Sequence, residues 1–448
     1  MITIPLREYE EMKRTIALLL ERVAALEKEL ALLRNGRKSS TSSTPSSQDI
    51  GSSNRKSLRE PSNRKSGGQP GHQGSTLEMK AEPDKMEHYI PLFCKSCGEK
   101  LEATAELTER RQEIVLPPIE PQYVEHCSYT IKCGHCGDYT TARMPEHLTN
   151  NIQYGKNIEA LIGYLSVSHY IPYQRITQLL HDCFNLPISE GSIDNILERL
   201  REKSGYVYEL IKRKIEESTV VGSDETGTHI QGKKGWFHVW QTTLLTYIES
   251  SWERSYKSIQ KVFEKGLPAS ILVSDCWAAQ LKTPANTHQL CIAHLLRELN
   301  NFIDALQCQW SVQMKTLLLH ALEIKKEKQP IAYYCPDPKV QLIEKQLDDL
   351  LCIPITDKHK KIQAFIKRLM KNRKYLLTFL YHPKVPSDNN GSERAIRNAK
   401  VKTKVSGGFR SEQGAERFVV LRSVVDTARK NKQNPFHALV AIANFAAE

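Results

Sequence analysis

Three groups of residues have types and spacings that suggest chemistry. The first is a pair of knuckles, Cys94-Lys95-Ser96-Cys97-Gly98 and Cys133-Gly134-His135-Cys136-Gly137. A two-residue gap lets both thiolates of a knuckle reach one tetrahedral ion, and the following glycine permits the tight turn beneath it. Cys94, Cys97, Cys133 and Cys136 therefore form a candidate structural zinc site, closed to substrate because all four positions are filled by protein. Four reduced cysteines without metal are the alternative. The 35 residues between the knuckles are many for the simplest zinc ribbon but leave room for strands, and His126, Cys127 and His135 are spare donors. The second group is acidic: Asp224 and Asp275 each close an apolar, β-branched run, and Glu393 follows Asp388-Asn389-Asn390-Gly391-Ser392 at the start of a helix. Carboxylates at two strand ends and on a facing helix can hold two divalent ions about 4 Å apart, which activate a water or hydroxyl for attack on a phosphodiester. Mg²⁺ suits such hard oxygen ligands. In a chain with 51 acids, spacing alone does not single out these three. The third group, Cys291-x-x-His294, reads as half a metal site without a second half nearby, so a structural role at a strand-to-helix junction is expected.

The elements that must position these groups follow from periodicity. Tyr9, Met12, Ile16, Leu19, Val23, Leu26, Leu30 and Leu33 alternate in steps of three and four, the a/d seam of a coiled coil. A helix packed on its own domain is the alternative. Residues 34–75 hold twelve Ser, and residues 34–72 carry a net charge of +6. This tract is expected to be disordered, either a plain linker or a basic arm that follows phosphates. Helices are expected at 158–168, 173–184 and 192–203, the last capped by Ser189, a pattern that fits a DNA-binding helix-turn-helix or an ordinary bundle. Strands are expected at 219–224, 236–240 and 271–275. A mainly helical insertion at about 301–380 accounts for the 118-residue step from Asp275 to Glu393. Within it, residues 357–374 carry a net charge of +7, read either as a solvated face or as a phosphate track.

Composition narrows the function classes. The 448 residues carry 63 Lys and Arg against 51 Asp and Glu, a formal charge of +12, which points to a polyanion such as nucleic acid. No apolar run approaches the ~18 residues of a membrane span, and the polar amino terminus argues against a secretory signal. With eleven Cys and no export signal, metal is a better expectation than disulfides.

Taken together, the chain resembles the transposases of the insertion sequence 66 family, a branch of the DDE recombinases. The resemblance runs through the heptads, Gly67-Gly68-Gln69-Pro70-Gly71-His72, the knuckles, Ser223-Asp224-Glu225-Thr226-Gly227 and Cys291-Ile292-Ala293-His294-Leu295-Leu296-Arg297-Glu298-Leu299. It is most specific in Asp388-Asn389-Asn390-Gly391-Ser392-Glu393-Arg394-Ala395-Ile396-Arg397 and Lys404-Val405-Ser406-Gly407-Gly408-Phe409-Arg410-Ser411. It implies an RNase H-like mixed sheet with Asp224, Asp275 and Glu393 as catalytic ligands of two Mg²⁺ (or Mn²⁺), and DNA contacts from Arg394, Arg397, Lys400, Lys402, Lys404 and Arg410. The chain departs from the family's frequent Gly-aromatic pair after the second Asp, with Cys276-Trp277 there instead.

The expected architecture is a multi-domain α/β chain: coiled coil 1–33, basic linker 34–86, zinc-binding unit 87–150, helical DNA-binding unit 151–217, and a catalytic core in two parts, 218–300 and 381–448, around the insertion 301–380. The expected function is metal-dependent cleavage and strand transfer at element ends. The expected setting is a bacterial cytoplasm with double-stranded DNA, a second copy of the chain and possible accessory proteins as partners, and no membrane. A zinc-containing DNA-binding protein without catalysis, or a nuclease that cuts without joining, are the alternatives.

Overall fold

The computed structural model describes residues 5–35, 71, 77–102, 104–328, 333, 336–354 and 360–445. Most of the Ser-rich tract, including Gly67 to Pro70 and His72 to Gly74, lies outside the described residues. The chain divides into two compact units, residues 57–121 and residues 1–56 with 122–448.

The described part of the smaller unit holds no helix or paired strand run. Its organised feature is the Cys94 turn, where Phe93 bridges Lys100 and Leu101 N donates to Leu92 O at 3.0 Å. Ile114, Val115 and Leu116 are exposed.

The larger unit begins with α1 (Leu6–Asn35), thirty residues without an internal Gly or Pro. It runs beside α7 (Ile292–Leu306), yet its seam enters neither core, and Leu26 and Leu33 stay 59% and 58% exposed. A short hairpin, β1 (Thr130–Lys132) and β2 (Tyr139–Thr141), carries the second Cys turn at its tip. Helices α2 (Lys156–Gly163), which runs on into a wide π-turn at Tyr164–Ser168, α3 (Tyr173–Phe184) and α4 (Glu190–Glu216) follow. Ser189 Oγ accepts Ser192 N at 3.0 Å, which caps α4 as expected. The expected end of α4 near residue 203 is corrected to Glu216. Tyr208, Ile211 and Ile215 continue the buried spacing of Ile193, Ile196, Leu197 and Leu200, so the helix keeps a face to bury.

The sheet comprises β3 (Val220–Ile230), β4 (Lys233–Gln241), β5 (Thr246–Ser251), β6 (Leu267–Ser274) and β7 (Ala285–Leu290), in the order β5-β4-β3-β6-β7. Strands β3, β4 and β5 form an antiparallel meander, whereas β6 and β7 add parallel to β3. The parallel additions need crossovers, which α5 (Tyr256–Val262) and α6 (Ala278–Lys282) provide. After β7 come α7, α8 (Gln309–Glu327), α9 (Pro338–Cys352) and α10 (Lys360–Lys371), the helical stretch expected between the second and third acids. The chain closes with α11 (Asn390–Ser406), α12 (Glu412–Lys430) and α13 (Pro435–Asn444).

Two cores hold this unit. One joins α2–α4 and α11–α13 to β3–β5 through residues such as Ile162, Phe237, Val239 and Val425. The other joins β6, β7 and α7–α10 through Val273, Leu295, Met314 and Phe365. Burial of these apolar side chains, at roughly 25 cal/mol per Å², is what fixes the acidic residues' supporting elements. Among the described residues, no helix is long and apolar enough to cross a membrane.

Candidate active site

Asp224 was expected at a strand end; it lies inside β3 instead, opposite Val239 of β4. The strand continues because Thr226, Thr228 and Ile230 alternate as buried positions, two of them polar and therefore invisible to an apolar pattern. Asp275 follows β6 directly, on the strand parallel to β3. Each carboxylate is turned by a local bond: Asp224 Oδ1 accepts Glu225 N at 2.9 Å, and Asp275 Oδ1 accepts Trp277 N at 3.0 Å. The result is a group of three, Asp224, Glu225 and Asp275, whose ligand oxygens all lie within 4.8 Å of one another.

Glu225 was not read from the sequence as part of the site, because neighbouring residues of a strand point to opposite faces. Its partners come from far along the chain. Arg254 Nε donates to Glu225 Oε1 at 2.9 Å and Gln280 Nε2 to Oε2 at 2.9 Å. Arg254 is itself held between Trp236 and Trp277, 5.2 and 4.9 Å from the ring centres.

The electrostatics favour a cation. Loss of hydration pushes the Asp224 carboxyl well above its usual range, and the charges of Glu225, Asp275 and Glu393 push it further, against the Glu225 amide. Burial and Asp275 push Glu225 up to about 7, with Arg254 opposing. Like charges gathered away from water need a proton or a counter-ion. A donor set of carboxylate oxygens alone fits Mg²⁺ or Mn²⁺.

Glu393 reaches the same neighbourhood from α11 but stands outside the 4.8 Å group. Its helix starts hard against β3. Asn389 Nδ2 donates to Ser223 O at 2.6 Å, and Ser392 Oγ donates to Asn389 Oδ1 at 2.6 Å. A Cβ on Gly222 would lie 2.8 Å from Ser392 Oγ and 2.9 Å from Asn389 Oδ1, so this approach requires glycine. The Asn389-Asn390-Gly391-Ser392 block is therefore a docking device for the acid that follows it. Cys291 and His294 join the same junction. Asn389 N donates to Cys291 Sγ at 3.2 Å, and His294 Nε2 lies 3.7 Å from Glu393 Oε1. Burial pushes the Cys291 thiol up to about 12, in keeping with a structural role.

A cleft of about 1360 Å³ opens beside the start of α11, lined in part by Lys214, Lys384, Arg394, Arg429 and Lys430. Arg394, Arg397, Lys404 and Arg410 are exposed, and Lys400 is half-buried. Lys402 is not on that surface. It is 8% exposed, and burial pushes its ammonium group down to about 8. Phe409, next to Arg410, extends the end of β3: its amide donates to His229 O at 2.8 Å and its carbonyl accepts Gln231 N at 2.8 Å.

The two Cys knuckles fall in different units, so each stands by itself. They share one local geometry. Gly98 N donates to Cys94 O at 2.9 Å and Gly137 N to Cys133 O at 3.0 Å, with both glycines at positive φ. Backbone amides hold both leading thiols below their usual range: those of Cys97 and Ser96 act on Cys94, and those of Cys136 and His135 on Cys133. Each turn thus favours a thiolate, the form that binds metal.

Comparison with known proteins gives one result at family level. The family model described as transposase IS66 family matches residues 151–417, a span that includes Asp224, Asp275, Glu393 and all the elements from α2 to the start of α12. No curated protein matches the chain.

Proposed function

The chain belongs to the IS66 transposase family, and from that premise we propose that it is a DNA transposase that cleaves at element ends and joins the freed 3′-hydroxyl to target DNA. The observation that carries the reading is the convergence of the Asp224 and Asp275 oxygens on adjacent parallel strands, with Glu393 delivered by a helix docked on the first of them. The β5-β4-β3-β6-β7 order, three antiparallel strands followed by two parallel ones, supports an RNase H-like core.

Asp224, Asp275 and Glu393 would hold two Mg²⁺ or Mn²⁺ ions, which supply an activated nucleophile and charge stabilisation on the leaving oxygen. The chain supplies placement. β3 and β6 fix the two aspartates, and the Asn389 bond to Ser223 fixes the helix that carries Glu393. Arg254 and Gln280 occupy both oxygens of Glu225, which makes it a support for the cluster rather than a third donor. DNA would approach over Arg394, Arg397, Lys404 and Arg410, with the cleft beside α11 as a path for the backbone. A second basic face is that of α10, where Lys360, Lys361, Lys367 and Lys371 lie opposite buried Ile362, Phe365, Ile366 and Leu369. The pair α3 and α4 would serve as the helix-turn-helix, and the knuckles Cys94–Cys97 and Cys133–Cys136 would each offer two thiolates to structural zinc.

Self-association completes the reading. Two ends cut together need at least two active sites. The α1 seam, with an apolar hollow of about 330 Å³ lined by Val23, Leu26, Leu30 and Leu33 among others, suits a second copy of the same helix.

The test is strand transfer in Mg²⁺ with DNA bearing the element's ends. Joined products support the proposal. Cleavage without joining favours a nuclease, and binding without cleavage a DNA-binding protein.

A further inference from the structure

Glu393 is held by α7. Arg297 NH1 lies 3.2 Å from Glu393 Oε1, and His294 Nε2 lies 3.7 Å from the same atom. The two basic residues are three apart on one helix and so share a face. That face is fixed at both ends. Ile292 N donates to Ser387 O at 2.9 Å and Asn389 N to Cys291 Sγ at 3.2 Å, which ties the start of α7 to the loop leading into α11. One residue beyond Arg297, Glu298 takes both oxygens to Arg368 NH2 of α10 at 2.7 Å. Arg297 and His294 are thus built into the frame, and both meet Glu393 at Oε1.

An arginine stays charged at any working pH and offers a carboxylate a directional bond. A divalent ion among Asp224, Asp275 and Glu393 would compete for the same Oε1. We infer that Arg297, backed by His294, is a positioning residue that competes with the catalytic metal for Glu393, so that α7 sets how tightly the centre takes up its ion. This rests on the reading of Glu393 as a metal ligand. The arrangement does two opposed things. It aims the carboxylate, which aids turnover, and it places a positive charge beside the cation site, which weakens ion binding.

The experiment is Mn²⁺ binding to the full chain by calorimetry, alongside strand-transfer rate at saturating Mn²⁺, with thermal melting as the folding control. Arg297→Gln is expected to bind Mn²⁺ about fivefold tighter while turning over more slowly, because one positive charge near the ion is gone and the carboxylate is no longer aimed. Arg297→Lys, which keeps the charge, should bind Mn²⁺ nearly as the parent does. If Arg297→Gln melts early, Arg297→Met keeps the packing of the stem and carries the same expectation. Unchanged or weaker Mn²⁺ binding in the charge-removing variants overturns the inference. Glu393→Gln separates the two levels. Weaker Mn²⁺ binding there, with no change in Arg297→Gln, leaves the ligand reading intact and removes the competition. Unchanged Mn²⁺ binding in Glu393→Gln removes both.

Discussion

The carboxylate centre and the cysteine knuckles face the same task, bringing anionic ligands together, and approach it differently. The carboxylates come from β3, the end of β6 and α11, elements seated on two apolar cores, so side chains distant in sequence are held near one another by the fold itself. The knuckles sit in surroundings with little to bury: Tyr129, Ile131 and Tyr139 around the second are 71%, 72% and 71% exposed. There, order comes from tight turns that aim two thiolates locally. Where a core supplies rigidity, single ligands can be spread over 169 residues of sequence, from 224 to 393. Where it does not, the cysteines come in local pairs, and a metal bound there would supply folding free energy.

That contrast can be broken in order of expected effect. Asp224→Ala, Asp275→Ala and Glu393→Ala should each lower cleavage by about 1,000-fold or more while leaving DNA binding and thermal melting near the parent values, since the core does not depend on them. Melting that collapses in all three would mean the acids hold the fold rather than the chemistry. Removing zinc with a chelator should expose residues 87–141 to proteolysis and leave the melting of the catalytic core within about 2 °C. Equal protection with and without chelator would place the knuckles' stability elsewhere. Gly222→Ala tests the docking of α11 and should cost about 2 kcal/mol, with reduced cleavage, because Gln241 of β4 as well as Ser392 and Asn389 must shift. The smallest effect concerns the surface. Arg394→Ala and Arg397→Ala should each weaken DNA binding and reduce its salt slope by about 1. Lys402→Met, a change in the interior, should leave both unchanged.

The sequence made much of this layout legible and hid the rest for physical reasons. The span of α3 and the seam of α1 follow from apolar spacing alone. The full length of β3 does not, because Thr226 and Thr228 occupy buried positions that an apolar pattern ignores. The resemblance names Asp224, Asp275 and Glu393; spacing among 51 acids could not. Glu225 with Arg254 and Gln280, and Glu393 with Arg297, are pairings across 29, 55 and 96 residues, set by how the cores fold. The knuckles show the reverse. Their turns are entirely local, and the sequence displays them in full.

The most direct test of the central claim is the position of Mn²⁺ in crystals of the full chain, found by its anomalous scattering. A peak is expected between the Asp224 and Asp275 carboxylates within reach of Glu393, and its loss is expected in Asp224→Ala. A fully occupied peak elsewhere, with none between these two aspartates at saturating Mn²⁺, would contradict it.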